Sequence, residues 1–200
     1  MRILLATMNA GKLLEYQRLL AEVPGLELET MASLSEPAEV LEDCDTFRGN
    51  ARKKAREIAA VARIACLADD SGLEVDALGG QPGVHSARYS GEGATDARNN
   101  EKLLEALSDV PDGKRSARFR CAIVVVDASG RELAAVEGAC EGRIGRQAVG
   151  SHGFGYDPLF VPDGYAQTMA ELGLGTKNAI SHRAIAAAKL VPLLWELRNG

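Results

Sequence analysis

The apolar run C-A-I-V-V-V at residues 121–126 restricts the possible folds more than any other stretch of the sequence. It ends a predicted strand, 116–126, in which consecutive rather than alternating apolar residues indicate that both faces are covered. The turn signal D-A-S-G follows, and 132–140 is the second strand of the resulting hairpin. The chain therefore needs a sheet with other elements packed against it.

Predicted strands and helices alternate through the rest of the chain. Strands are expected at 2–6, 27–31 and 63–68, and helices at 12–22, 50–62, 95–108 and 180–198. Asn50 is the expected N-cap of the second helix, and Ser181 lies near the start of the last one. Early alternation followed by a hairpin predicts an α/β fold with a mixed sheet. The length of 200 residues fits one domain, 1–200, which leaves room for two lobes.

Composition excludes several classes of function. The formal net charge is −5 and aromatic residues make up 4%, which disfavours binding of a nucleic-acid polymer. No apolar run approaches the about 18 residues of a membrane span, and the N-terminal run is too short for a secretory signal. Cys44, Cys66, Cys121 and Cys140 show no C-x-x-C spacing, so reduced thiols in the cytoplasm are the simplest interpretation.

The turn T-M-N-A-G-K, Thr7 to Lys12, joins the first predicted strand to the first helix. Backbone N–H groups at a helix start hold phosphate well, Lys12 adds a positive charge, and Thr7 and Asn9 add donors. The stretch is not a Walker A loop, because Ala6 stands where that pattern needs its first glycine. An ordinary turn with an exposed lysine is the alternative that these residues leave open.

Two adjacent carboxylates, Asp69 and Asp70, follow the predicted strand 63–68 in the stretch L-A-D-D-S-G. Carboxylates that a strand delivers to a loop can bind Mg²⁺, which joins one or two of them to substrate phosphates. Such a carboxylate can also accept a proton from water. A turn capped by Asp69 and a solvated Asp70 would explain the pair equally well.

The stretch G-F-G-Y-D-P, residues 153–158, places glycines on both sides of Phe154. Backbone without side chains lets a flat ligand approach, and the Phe154 ring can stack on a base. A core aromatic residue in a tight turn is the alternative.

The stretch K-N-A-I-S-H-R, Lys177 to Arg183, carries three potential cations at the predicted start of the last helix. A rigid guanidinium group and a helix start both favour anions or keto oxygens. A solvated, charged helix start would have the same sequence. Together the four stretches supply phosphate donors, a metal carboxylate, a stacking ring and a reader of the base, which are the parts of a nucleoside triphosphate site.

These stretches, in this order, resemble the inosine triphosphate pyrophosphatase family, and within it the bacterial pyrophosphatases of non-standard purine nucleotides. The similarity runs over nearly the whole chain and includes T-F-R-G-N-A-R-K-K-A and Q-P-G-V-H-S-A-R-Y-S-G. The resemblance implies Mg²⁺-dependent hydrolysis of ITP, dITP and XTP to the monophosphate and pyrophosphate. It also implies a homodimer and an elongated, two-lobed α/β fold with the active site in the central cleft.

The resemblance further implies roles for single residues. Asp70 would be the proton acceptor and, with Glu42, a ligand of Mg²⁺. The substrate-binding residues would be Thr7, Met8, Asn9, Ala10, Gly11, Lys12, Lys54, Ser71, Phe154, Gly155, Tyr156, Asp157, Lys177, His182 and Arg183. One place departs from the family pattern, which often has Glu before Asn50 where this chain has Gly49. Any metal role of that acid would pass to Glu42 and Asp43.

Two other functions remain open to the sequence. A pyrophosphatase of Maf-like or dUTPase-like specificity would act on pyrimidine or modified nucleotides. A catalytically silent nucleotide-binding module, suggested by Gly49, would bind ITP without releasing pyrophosphate. Turnover of a panel of nucleotides separates these functions from the first.

Overall fold

The computed structural model describes residues 1–34 and 39–199, so residues 35–38 of the segment expected to be irregular, 32–46, lie outside the described part. The strands are β1 (Arg2–Leu5), β2 (Glu27–Thr30), β3 (Cys66–Val75), β4 (Ser116–Val126), β5 (Glu132–Ile144) and β6 (Phe160–Pro162). The α-helices are α1 (Ala10–Leu19), α2 (Phe47–Ala62), α3 (Asp96–Ala106), α4 (Leu174–Ile180) and α5 (His182–Asn199). Among the described residues, no helix combines the length and apolarity needed to cross a membrane.

The sheet is mixed, as predicted. Its strands follow the order β2-β1-β3-β4-β5-β6, with β1 parallel to β2 and β3, and β5 antiparallel to β6. Leu4 of β1 is the register partner of Cys66, and Arg143 of β5 is the partner of Val161. The D-A-S-G turn joins β4 to β5, and the amide of Asp127 donates to the carbonyl of Arg131 at 2.9 Å. The α/β class and the hairpin turn are therefore confirmed.

The chain divides into two units. Unit 1 consists of Met1–Asp70, Cys121–Gly138 and Arg183–Gly200, and unit 2 of Ser71–Arg120 and Ala139–His182. The unit boundary thus falls within β3, β4 and β5 and between the first two residues of α5. The elongated outline, the two lobes and the central cleft implied by the resemblance stay predictions.

The apolar core of unit 1 includes the C-A-I-V-V-V run. Residues 123–126 are completely buried, and Cys121 and Ala122 are 1% exposed, so this part of β4 is covered on both faces as expected. Ile123 and Val125 belong to a cluster with Leu5 of β1 and with Leu190 and Leu194 of α5. The closing helix of the chain therefore packs in the same unit as the first strand.

Unit 2 has a separate apolar core. Leu73 and Val75 of β3 pack in a cluster with Leu103 of α3 and Phe160 of β6. Arg115 is 2% exposed, and its guanidinium group donates to backbone carbonyls, which include those of Leu107 at 2.6 Å and Gly145 at 2.8 Å. These bonds compensate the burial of its charge.

Several predicted boundaries were wrong. The first helix begins at Ala10, two residues before the predicted start, because Asn9 caps it. The second begins at Phe47, and its N-cap is Thr46, whose hydroxyl accepts from the amide of Gly49 at 3.0 Å. Asn50, the predicted cap, lies inside the helix. The family pattern often has Glu where this chain has Gly49. This is the third helical position after the cap Thr46, which is the position of the acidic residue in a capping box.

The last predicted helix, 180–198, corresponds to α5, and a short helix that the sequence did not predict, α4, precedes it. Ser181 is the C-cap of α4, and α5 begins at His182. Lys177 therefore lies on α4 rather than at the start of the closing helix. The Ser181 backbone is extended, with φ −65° and ψ 150°, which interrupts the helical run.

Candidate active site

Asp69 and Asp70 lie in the middle of β3 and not at its end. The strand continues to Val75, because Leu73 and Val75 pack in the core of unit 2 and the amide of Leu73 donates to the hydroxyl of Ser86 at 2.8 Å. Asp69 is 3% exposed and Asp70 is 9% exposed. The alternative of a turn cap followed by a solvated carboxylate is therefore wrong. Two buried carboxylates need compensating groups.

The Asp69 carboxylate is compensated by two cations. Its Oδ1 lies 2.6 Å from Nζ of Lys12, and its Oδ2 accepts from Nε of Arg183 at 3.2 Å. Burial alone would raise the pKa of Asp69, but the charges of Lys12 and Arg183 outweigh it and hold the pKa well below its ordinary value. Asp69 is therefore an ionised anchor for Lys12 and for Arg183, the second residue of α5.

Arg183 joins Asp69 to a second acid. Its Nη1 donates to the carboxylate of Glu15 on α1, at 3.1 and 3.2 Å. Burial alone would lower the pKa of Arg183, but attraction to Asp69 and Glu15 outweighs it and raises the pKa above its ordinary value. Sequence reasoning missed Glu15, which has no feature that distinguishes it from an exposed acid on an amphipathic helix.

Asp70 is held by an amide. Its Oδ2 accepts from Nδ2 of Asn50 at 2.9 Å, and Oδ1 of the same asparagine accepts from the amide of Cys44 at 2.9 Å. Asn50 is completely buried. Asn50 is therefore not the helix cap that the sequence predicted. Its side chain connects β3 to the segment before α2.

Glu42, the other predicted metal ligand, lies on that same segment. Its carboxylate contacts Nζ of Lys54, which also lies 3.5 Å from the backbone oxygen of Asp69. Within residues 1–34 and 39–199, no group of three or more His, Cys, Asp or Glu side chains is placed to hold a metal ion. Glu42 and Asp70 are two carboxylates, which is the donor type and number that Mg²⁺ typically takes from a protein before water and substrate phosphates complete its shell.

The T-M-N-A-G-K turn forms the N-terminus of α1. Oδ1 of Asn9 accepts from the amides of Gly11 at 2.8 Å and Lys12 at 3.2 Å, and the amide of Asn9 donates to the Thr7 hydroxyl at 3.1 Å. Asn9 thus acts as an acceptor toward N–H groups that were expected to face phosphate. Met8 is 58% exposed. Lys12 is not the exposed lysine of the alternative interpretation, because it pairs with Asp69.

Unit 2 contains the G-F-G-Y-D-P stretch and Lys177. The Phe154 ring is 58% exposed, so it is not a core residue, and Nζ of Lys177 lies 5.1 Å from its centroid. Oδ2 of Asp157 accepts from the amide of Phe154 at 3.1 Å and from Nζ of Lys177. An exposed ring with a fixed cation at its face is suited to stacking against a flat, polar ligand.

The loop around Gly155 is held by α3. The Gly155 amide donates to Oδ2 of Asp96 at 2.7 Å, and its carbonyl accepts from Nδ2 of Asn100 at 2.9 Å. Sequence reasoning missed both side chains. They lie four residues apart on the predicted helix 95–108, but only the folded chain shows which loop this helix face meets.

The other predicted site residues of unit 2 are mostly buried. Tyr156 is 4% exposed, and its hydroxyl donates to the carbonyl of Ser86 at 2.8 Å. His182 is 8% exposed and stacks on Phe119 at a centroid distance of 4.9 Å. Ser71 is half-buried on β3. The Tyr156 side chain is thus a core group.

The predicted residues fall into two groups. Asp70 is linked through Asn50 to the segment that carries Glu42, and Asp69 links Lys12, Lys54 and Arg183. The residues that the structure places in unit 1 are Thr7, Met8, Asn9, Ala10, Gly11, Lys12, Glu42, Lys54, Asp70 and Arg183. Those in unit 2 are Ser71, Phe154, Gly155, Tyr156, Asp157, Lys177 and His182. The first group has the chemistry for phosphates and a hard cation, and the second has the chemistry for a base.

Sequence comparison agrees with the motifs. A sequence model of the Ham1 family matches residues 3–193. A dITP/XTP pyrophosphatase of Shouchella clausii is 48% identical over 188 residues, which cover 94% of this chain and 93% of that one. A dITP/XTP pyrophosphatase of Opitutus terrae is 48% identical, with 100% of both chains covered.

Solved structures give the same result. A HAM1 protein from Coxiella burnetii has a TM-score of 0.90 and 41% identity, with 98% of this chain and 99% of that chain covered. A nucleoside-triphosphatase described as a dITP/XTP pyrophosphatase, from Mycobacterium abscessus, has a TM-score of 0.79 and 47% identity, with 97% and 100% covered. These matches confirm the family resemblance that the motifs indicated.

Proposed function

The chain belongs to the Ham1 family, and we propose that it hydrolyses the non-standard purine nucleoside triphosphates ITP, dITP and XTP to the monophosphate and pyrophosphate. The observation that carries the proposal is the gathering of Lys12, Lys54 and Arg183 around the buried Asp69, next to the buried Asp70 in the chain. Positive charge beside a hydrogen-bonded carboxylate suits a polyphosphate substrate and a water nucleophile. The names of the full-length relatives support the same reaction.

In the proposed reaction, water attacks the α-phosphorus, and the bond between this phosphorus and the oxygen leading to the β-phosphate breaks. Asp70 accepts a proton from the attacking water, and the electron pair of the broken bond leaves with pyrophosphate. Lys12 and Lys54 stabilise the negative charge of that leaving group. Mg²⁺, when bound through Asp70 and Glu42, would neutralise charge on the phosphate oxygens.

Selection of the base follows from the direction of hydrogen bonds. Hypoxanthine and xanthine present a keto oxygen at C6, whereas adenine presents an amino group. Nε and Nη1 of Arg183 already donate to carboxylates, so we assign the reading of this oxygen to His182 and backbone N–H groups. A site built on such bonds rejects the mismatched base by about 10⁴-fold. Phe154 supplies the stacking face.

The test is release of pyrophosphate from ITP, dITP, XTP, GTP, ATP and dUTP, with and without Mg²⁺. We expect turnover of the first three in the presence of Mg²⁺ and little turnover of ATP. Equal turnover of ATP and ITP would contradict the selection mechanism. Preference for dUTP would support Maf-like or dUTPase-like specificity, and ITP binding without pyrophosphate release would indicate a silent binding module.

We also propose that the chain acts as a homodimer in the cytoplasm, where nucleoside triphosphates are made and used. Sedimentation velocity measures the oligomeric state directly. A monomer that retains full turnover would contradict the dimer and leave the proposed reaction unaffected.

A further inference from the structure

One face of α2 holds two segments of unit 1 together at two points. Asn50 bonds to the amide of Cys44 and to the carboxylate of Asp70, both at 2.9 Å. One turn further along, Lys54 contacts Glu42 and lies 3.5 Å from the carbonyl of Asp69. The same two segments, 42–44 and 69–70, are therefore joined twice. Residues four apart share a helix face, so this double link comes from one rigid surface.

The Asn50 carboxamide suits this position because it has a donor end and an acceptor end. The acceptor faces an N–H group and the donor faces a carboxylate, so a reversed amide would set oxygen against oxygen at Asp70. Aspartate at this place would lack the donor, and a hydrophobic residue would lack both groups. A primary amide is the group that satisfies both neighbours.

The turn before α2 packs tightly against this part of the helix. A Cβ atom at Gly49 would lie 2.9 Å from Cβ of Cys44 and 2.9 Å from Oγ1 of Thr46. Such distances require one side to shift. The absence of a side chain at Gly49 therefore allows the Cys44 amide to reach Asn50 without displacement.

We propose that Asn50 is a positioning residue for the reaction: its amide fixes the orientation of the Asp70 carboxylate and holds the segment that carries Glu42 in register with it. The inference rests on the proposed function, because it concerns the carboxylates to which that reaction is assigned. A displacement of about 1 Å at a reacting group can cost about 100-fold in rate. A residue that acts through Asp70 should therefore change kcat far more than KM.

Asn99 provides a matched control. It lies on α3, is 3% exposed, and also uses its carboxamide to hold a loop. Its partners are backbone groups, namely the amide of Ser90 at 2.8 Å and the carbonyls of Ser86 at 3.3 Å and Ala87 at 3.1 Å. Asn50→Ala and Asn99→Ala thus remove the same group from similarly buried helix positions, and only the first removes a bond to a carboxylate.

The experiment compares both variants with the wild-type chain in ITP hydrolysis and in hydrogen exchange of the Cys44 amide. For Asn50→Ala we expect kcat to fall about 100-fold, KM for ITP to stay within about three-fold, and exchange at Cys44 to become faster. For Asn99→Ala we expect unchanged exchange at Cys44 and a much smaller loss of kcat. Asn50→Gln keeps both ends of the amide but moves them by one methylene, so it provides a milder variant if Asn50→Ala does not fold, with a fall in kcat of at least ten-fold.

The outcomes separate this inference from the proposed function. A wild-type chain that releases no pyrophosphate overturns the proposed function and this inference with it. An active wild-type chain whose Asn50 variants keep kcat within three-fold, or change only KM, overturns the inference alone. Equal losses of kcat in Asn50→Ala and Asn99→Ala would assign the effect to general destabilisation and also overturn it.

Discussion

The ammonium group of Lys12 lies 2.6 Å from Oδ1 of Asp69, whose side chain is 2% exposed. Arg146 and Asp112 form an ion pair with the same separation, 2.6 Å, but the side chain of Asp112 is 80% exposed. Water and salt screen the second pair, whereas the first pair loses little of its attraction to solvent. Two pairs of equal length in one molecule should therefore differ widely in their contribution to stability.

Asp69→Asn should lower the free energy of unfolding by about 3 kcal/mol, because removal of one partner leaves the buried charges of Lys12 and Arg183 less compensated. Asp112→Asn should change it by less than about 0.5 kcal/mol. Urea unfolding of both variants at pH 7 measures the difference. Equal effects of the two substitutions would contradict the assignment of Asp69 as the anchor of these cations.

The elements that sequence predicted well are those whose signals are local. The limits of β4 at 116 and 126 were predicted correctly, because an apolar run and a turn signal mark its end. The strand–turn–helix at Thr7 to Lys12 also agrees with the local pattern. Recognition of the family followed from the order of several short motifs, each of which is a local feature.

What sequence could not predict depends on contacts between distant residues. Ser71 and Gly72 favour a turn, yet β3 continues through them because Leu73 and Val75 gain burial in unit 2. Asn50 has the chemistry of a helix cap, and its partner Asp70 lies 20 residues away. The choice between these roles is made by packing, which propensity does not contain.

The turn of the β4–β5 hairpin should make the free energy of unfolding depend on pH. Hydrogen bonds from the hydroxyl and amide of Ser129 and from Arg131 lower the pKa of Asp127 from its ordinary 3.8 to about 2. A carboxyl whose pKa is lowered on folding stabilises the folded state above the unfolded pKa and loses this effect as the pH falls through the folded value. Asp127→Asn should therefore be destabilising at pH 6, and the difference from wild type should shrink between about pH 4 and pH 2.

Unfolding of wild type and Asp127→Asn at pH 6, 4 and 3 checks this sign. Comparison of the two chains removes the contributions of the other carboxyl groups, which titrate in both. A difference that stays constant, or grows as the pH falls, would contradict the role of Asp127 as an ionised acceptor in the turn.

Asp70→Asn tests the proton acceptor. The amide has nearly the same shape as the carboxylate but cannot take a proton from water, so we expect turnover of ITP to fall by about 10³-fold. Binding of ITP, measured by calorimetry, should remain detectable because the cations around Asp69 are unchanged. Turnover within ten-fold of wild type would exclude Asp70 from the assigned role.

Gly153→Ala tests the loop that carries Phe154. Gly153 has φ +87°, and a Cβ atom there would overlap Oδ2 of Asp157 and lie 2.8 Å from Nζ of Lys177. Gly164 has a similar φ of +82°, but a Cβ atom added at Gly164 would meet nothing within 4 Å. Gly164→Ala therefore introduces the same backbone strain without the overlap. Both variants should lose about 1 kcal/mol of stability from the left-handed backbone.

Because Gly153→Ala alone forces Asp157 and Lys177 apart, it alone should raise KM for ITP, by about ten-fold if the loss is near 1.4 kcal/mol of binding. An equal KM in the two variants would show that the Asp157–Lys177 pair does not hold the nucleotide.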